Sequence, residues 1–257
     1  MKRNRFESFG IGQNIRREWM DRALQLAIDG KSAEECRAIL TDVVLGVDTG
    51  KGARGKESAK KAVQLLKAWF APLDELITFV GQLKKWATEC PAGEIVCLHW
   101  AVLAGTFPFF FEVCSVVGRL FALQGKAAKA QILSRCEERY GVTPTAARNL
   151  EYALWILVNF GLLKMGVEKG EYLPPDKMLV ESDGTAMLVW KAALHATQGG
   201  NLAVSRLRHS PAFFPFELPN VTVSQMQSTF GDIGVASYVG VDDQLFLAEM
   251  KSGKDEQ

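Results

Sequence analysis

The chain has 257 residues, 48% of them hydrophobic and 23% charged, with 30 basic residues against 29 acidic. This composition excludes a disordered protein and a chain that is basic throughout, and the length suits two compact units, or one with an appendage. The five cysteines (Cys36, Cys90, Cys97, Cys114, Cys136) include no C-x-x-C pair, which argues against a disulfide framework or a zinc site and for a reducing compartment.

The N-terminus is basic, but no apolar run follows it, so no secretory signal is expected. Ile15, Trp19, Ala23, Leu26 and Ala27 share one helical face, and Gly30 suits a C-cap. Ser32-Ala33-Glu34-Glu35 is a capping box opening a helix that buries Cys36, Ile39, Leu40 and Val43 and stops at Gly46. After a loop rich in glycine and lysine, Glu57 to Phe70 reads as a helix with Ala62, Leu65, Leu66 and Trp69 inward. Pro72 opens the next helix, carrying Leu73, Leu76, Ile77, Val80 and Leu83. Cys90-Pro91-Ala92-Gly93 breaks the pattern and marks a boundary.

Seventeen residues between Glu94 and Glu112 carry no full charge. A spanning helix needs about 20, and Gly105, Thr106 and Pro108 interrupt this stretch, so two buried helices meeting at a corner are expected. Phe107 to Gln124 and Lys126 to Arg139 read as helices. Gly141-Val142-Thr143-Pro144 forms a tight turn, with Thr143 as cap and Pro144 in the first helical turn. The next helix runs to Phe160, burying Leu150, Ala153, Leu154 and Leu157, and Gly161 ends it. Leu162–Met165 and Glu171–Leu173 then read as a hairpin. Helix, helix, tight turn, helix, hairpin is the order of a winged helix-turn-helix. Further on, Thr185 to Thr197 and Asn201 to His209 read as helices, and Pro211 to Phe216 as an aromatic crossing. Thr222 caps a helix to Phe230, and Val235–Val239 with Gln244–Met250 reads as a hairpin. The expected fold is therefore mainly α. It has a helical N-terminal domain (1–90), a winged-helix-like domain (91–182) and a small α+β unit (183–257), for which a second, degenerate winged helix is one reading.

Gly50 to Lys56 approaches the P-loop spacing, but Glu57 stands where a magnesium-binding hydroxyl is needed, so nucleotide binding is not expected. Glu137-Glu138 and Asp242-Asp243 lack the geometry for paired acid-base work. His99, His195 and His209 lack metal-ligand spacing. The chain is read as non-enzymatic, with no cofactor and no metal.

Charge is uneven along the chain. Residues 1–67 hold fourteen basic and nine acidic residues, a net of +5, whereas residues 141–257 hold nine and thirteen, a net of −4. The basic front end, with Arg16, Arg17, Lys51, Arg54, Lys56, Lys60 and Lys61, suits phosphate neutralisation. A reading helix starting at Pro144 would present Thr145, Arg148 and Asn149 to base edges, since arginine pairs guanine and asparagine pairs adenine. Lys164 and Lys169 stand where a wing reaches phosphates. The alternative is a protein-protein adaptor that docks a larger enzyme through the helix-turn-helix and Phe213, Phe214 and Phe216.

Several segments carry a family resemblance: "NIRREW" with "LAIDGKSAEECRAIL", then "ESAKKAVQLLKAWF", "AGTFPFFFEV" and "TPTAARNLEYALWILVNFGLL". Over residues 12 to 175 the order of elements and the apolar pattern resemble the BrxA family of small accessory proteins in BREX bacteriophage-defence systems. That resemblance implies a non-enzymatic, mainly helical DNA-binding protein of the bacterial cytoplasm. Its expected partners are double-stranded DNA and other defence-system proteins, with no membrane insertion.

Overall fold

Local punctuation accounts for most element ends in the computed structural model, which describes residues 4–46, 55–237 and 242–248. Helix α1 (Arg17–Ile28) ends at Gly30, whose φ of 71° lets the Lys31 amide reach back to the Leu26 carbonyl. Helix α2 (Ala33–Leu45) starts at the Ser32–Glu35 capping box, with both reciprocal bonds formed, and Gly46 caps its end. Helices α3 (Lys56–Phe70) and α4 (Ile77–Ala87) follow. Between them Asp74–Leu76 forms a 3-10 turn, not the first turn of a longer helix. Leu73 and Ile77, expected inside, are exposed, and Leu76, Phe79, Val80 and Leu83 make the buried stripe instead.

The apolar stretch breaks at Phe107 into α5 (Ile95–Thr106) and α6 (Pro108–Gln124), bent by 116°. Among the described residues no single helix is long and apolar enough to cross a membrane. Pro108 takes the first position of α6, but Thr106 does not cap it; it is the buried last residue of α5. Next come β1 (Ala127–Ala128), α7 (Lys129–Tyr140), α8 (Pro144–Asn159), β2 (Lys164–Met165) and β3 (Glu171–Leu173). These three strands form an antiparallel sheet in the order β1-β3-β2. The sequence had β1 inside a helix.

The chain continues with β4 (Met178–Leu179), α9 (Asp183–Ala196), β5 (Asn201–Ala203), α10 (Val204–Arg208), β6 (Phe216–Glu217), α11 (Val223–Thr229), β7 (Ile233–Ala236) and β8 (Gln244–Leu247). Strand β5 opens the segment expected to be helical over 201–209. It pairs with β8, and the antiparallel order is β5-β8-β7. A short parallel pair, β4 with β6, ties the crossing to the segment before α9. Thr222 and Gln225 form the expected cap of α11.

Helices α5 and α9 pack on each other at the centre, and residues Val96–Thr106 and Thr185–Ala196 are buried on every side. The core is continuous from Ile11 to Leu245 and crosses both expected domain boundaries. Phe213 and Phe216, expected as docking residues in the adaptor reading, belong to it instead: both rings pack edge-on against Trp100, at 5.7 and 5.5 Å. The crossing that carries them lies directly on α6, where a Cβ on Gly118 would come within 1.8 Å of the Pro211 carbonyl oxygen. Arg5 ties the core at its edge. Its guanidinium donates to the Gly105 carbonyl (2.6 Å) and the His195 carbonyl (2.7 Å) and pairs with Glu75, so one cation meets the negative ends of α5 and α9.

Candidate nucleic-acid interface

Thr143 and Pro144 expose the start of α8. The Thr143 hydroxyl accepts from the Ala146 amide at 3.0 Å, Pro144 takes the first position, and Gly141 turns the chain with φ 79°. The following residues split between the two sides of the helix. Thr145 and Arg148 are exposed, and Arg148 has no ion pair among the described residues. Asn149 is buried, and its side-chain amide donates to the Thr145 carbonyl at 2.8 Å. This corrects its expected base-reading role: Asn149 falls within the inward stripe of Ala146, Leu150 and Ala153, so its polar group is spent on its own helix.

The outer face of α8 continues through Glu151 and the partly exposed Trp155. Glu151 pairs with Lys129 at the start of α7, not with Arg148. The hairpin turn is fixed to the same place, because the Lys129 amide donates to the Gly170 carbonyl at 2.8 Å. Lys169 is exposed at this turn without an ion pair among the described residues. Lys126 pairs with Glu171 at 3.6 Å and Lys164 with Asp176 at 2.8 Å, which leaves Arg148 and Lys169 as the uncommitted cations around α8 and the hairpin. Met165 and Val167 are exposed on the hairpin.

The N-terminal cations form a separate group. Lys51 and Arg54 lie outside the described residues. Lys56 and Lys61 are exposed at the start of α3, and Lys60 pairs with Glu57 at 2.8 Å. Gln13 bonds Ser58 at 2.8 Å, which holds this helix start beside the approach to α1. Arg16 stacks on Trp19 at 5.9 Å, and Arg17 lies 4.0 Å from Asp21. The Arg17 amide donates to Asn159 at 2.9 Å, at the C-terminal end of α8. Asn159 lies eleven helical steps beyond Arg148, about 17 Å along the axis. The N-terminal group and Arg148 therefore sit toward opposite ends of α8, and the fold does not bring them together.

Three buried ionisable side chains, His99, Glu94 and Lys191, have structural partners. His99 accepts from Trp69 Nε1 at 3.1 Å through Nδ1, which leaves Nε2–H to donate to Asp21 at 2.8 Å; burial holds its pKa below the ordinary value. Glu94 receives the Glu181 and Ser182 amides at 2.9 and 3.1 Å and serves the start of α9. Lys191, fully buried, donates to both Asp232 oxygens at 2.5 and 2.6 Å and to Gln82 at 2.5 Å. Sequence reasoning missed this pair, although a lone lysine in the run from Ala186 to Ala196 was its signal. Burial pushes the thiols of Cys97, Cys114 and Cys136 up to about 12, away from nucleophilic use. Sequence reasoning also passed over Arg119, Arg135, Arg139 and Arg206, whose spacing did not show that they meet.

No known protein family matches the chain, and neither does any curated protein or solved structure.

Proposed function

We propose that residues 108–173 form a winged helix-turn-helix and that the protein is a non-enzymatic binder of duplex DNA, held mainly through phosphates. The observation that carries this reading is the order β1-β3-β2, with α7 and α8 inserted between the first strand and the hairpin. In that arrangement α8 enters the major groove by its first turn and the hairpin lies along the backbone. Thr145 and Arg148 face the bases, and Lys169 faces a phosphate. Residues 183–247 repeat helix, strand, helix, helix and hairpin in the order β5-β8-β7, with the aromatic crossing inserted between α10 and α11. This supports a second, degenerate winged helix. A bacterial phage-defence setting, a cytoplasmic location and partner proteins from that system rest on the family resemblance alone.

The test is fluorescence anisotropy on short duplexes over a range of salt. Binding should weaken steeply with salt. Arg148→Ala should cost about 1–3 kcal/mol and relax preference at one position if it reads a base, or cost affinity uniformly if it touches a phosphate. Absence of duplex binding at low salt would defeat the reading. A protein-docking role is the second reading, favoured by the exposed Trp155, Met165 and Val167. On that reading Trp155→Ala abolishes capture of a partner and Arg148→Ala leaves DNA affinity unchanged.

A further inference from the structure

The fold gathers arginines that the sequence scatters. A cleft of about 340 Å³ opens between α6, the end of α7 and α10, and Arg119, Arg139 and Arg206 line it from those three helices. Glu112 is the acid within it. Its carboxylate accepts from Arg119 at 3.1 Å and from Arg139 at 2.9 Å, and the Arg119 Nε–H also donates to the Ser115 carbonyl at 3.2 Å. These bonds hold two guanidiniums in place and leave most of their donors unused, since each guanidinium carries five. Arg206 is exposed and has no ion pair among the described residues. Three guanidiniums against one carboxylate leave net positive charge in a concave site. The donors of Arg119 and Arg139 are already oriented, which favours recognition of a tetrahedral oxyanion.

The surroundings favour a polymer over a free metabolite. The cleft is open and mixed in lining, with Phe111 and Leu202 beside the arginines, unlike the enclosed and mainly apolar pockets that hold small ligands. It continues along α6 and α7 into a groove lined by Arg119, Arg135 and Arg139 together with Glu112 and Glu138, where Glu138 pairs with Arg135 at 3.0 Å. Arg139 stands in the last turn of α7, and only residues 141–143 separate that helix from α8. The cleft and Arg148 therefore flank the same turn of the chain.

We propose that this cleft is a phosphate-binding site, and that in the DNA complex it takes backbone phosphates of a strand that also passes the first turn of α8. The second half rests on the duplex-binding function proposed above; the first half does not. The experiment has two arms, both on the full-length protein: thermal melting with inorganic pyrophosphate, and anisotropy on a duplex across salt concentrations. Arg139 and Arg206 are exposed, so the double variant Arg139→Ala/Arg206→Ala keeps the fold. Pyrophosphate should raise the melting temperature of the wild type and not of this variant. Glu112→Gln, which removes the competing acid, should bind pyrophosphate more tightly. On DNA the double variant should bind all sequences alike about tenfold more weakly, with the salt slope reduced by about two.

If pyrophosphate stabilises wild type and double variant equally, or neither, the site is overturned. If pyrophosphate discriminates between them but the DNA slope is unchanged, the cleft serves a free phosphate and the strand half is overturned. If Arg148→Ala weakens DNA binding while the double variant matches wild type in both arms, the cleft falls and the α8 reading stands. If the wild type binds no duplex, the DNA reading and the strand half fall together, and the pyrophosphate arm alone decides the cleft.

Discussion

Glycine-to-alanine changes in two helices of this protein should move stability in opposite directions. Gly81 lies in α4, exposed, and an added Cβ meets nothing within 4 Å. There the change removes conformational freedom from the unfolded chain and should stabilise by about 0.5–1 kcal/mol. Gly118 lies in α6, where the same Cβ would come 1.8 Å from the Pro211 carbonyl oxygen and 2.7 Å from its carbon. The obstacle is backbone, so no rotamer relieves it. The crossing must lift, and with it Phe213 and Phe216 lose their seat on Trp100. Overpacking of this kind costs about 1–3 kcal/mol, more than the propensity gain, so Gly118→Ala should lose about 2 kcal/mol. For a chain of this size that lowers the melting temperature by about 4–8 °C, while Gly81→Ala raises it by about 1–4 °C. Calorimetry on both variants measures the pair, and tryptophan fluorescence reports the Trp100 environment. A Gly118→Ala protein as stable as Gly81→Ala would refute the direct seating of the crossing on α6.

Asn149→Ala should lower stability by about 1 kcal/mol while leaving any base preference intact, because its amide serves the Thr145 carbonyl; altered specificity on duplex arrays would return it to the interface. Lys191→Met leaves Asp232 buried without its cation and should cost about 3–5 kcal/mol in urea titrations, whereas Lys191→Met/Asp232→Leu should recover most of it; a double variant as unstable as the single would contradict this. Burial, then the charges of Lys191 and Arg5, push His195 down to about 3. The unfolded chain takes up a proton near pH 6.5 that the folded chain refuses, so the His195 contribution is complete above about 6.5 and shrinks as pH falls toward 3. At pH 5 that loss is about 2 kcal/mol. The melting temperature should therefore drop between pH 7 and 5, and His195→Phe should flatten the drop; equal slopes would exclude His195 as its source.

Features written into neighbouring residues were legible without the structure. The Ser32 and Thr222 caps, the Thr143-Pro144 start of α8 and the hairpin after Gly161 all depend on residues within a turn of one another. What escaped depends on distant partners. Ala127–Ala128 becomes a strand because Glu171 and Tyr172 pair with it, and Asn201–Ala203 because residues 244–246 do; neither segment carries β signals of its own. Phe213, Phe214 and Phe216 look alike in sequence, yet two are sealed by Trp100 and the third rests on Phe121. The candidate site was legible to the same extent. Thr145, Arg148 and Lys169 stand exposed where the turn grammar put them. Asn149 was misjudged because residues adjacent on a helix differ by about 100° in direction. The arginine cleft was not legible, since regional charge sorting assigned Arg206 to an acidic segment.

The Arg5 clasp sets an order of events during synthesis. One of its two carbonyl partners, Gly105, is made 100 residues later, and the other, His195, 190 residues later. At about 5–20 residues per second, roughly 10–40 s pass between the ribosome's making Arg5 and making His195. From the completion of α5 at Thr106 until α9 is made, α5 lacks the helix that covers it, and its apolar surface stands open to whatever the nascent chain meets. Arg5 is thus locked by a helix made 190 residues later, and an interruption of translation before residue 195 releases a product with its central helix uncovered.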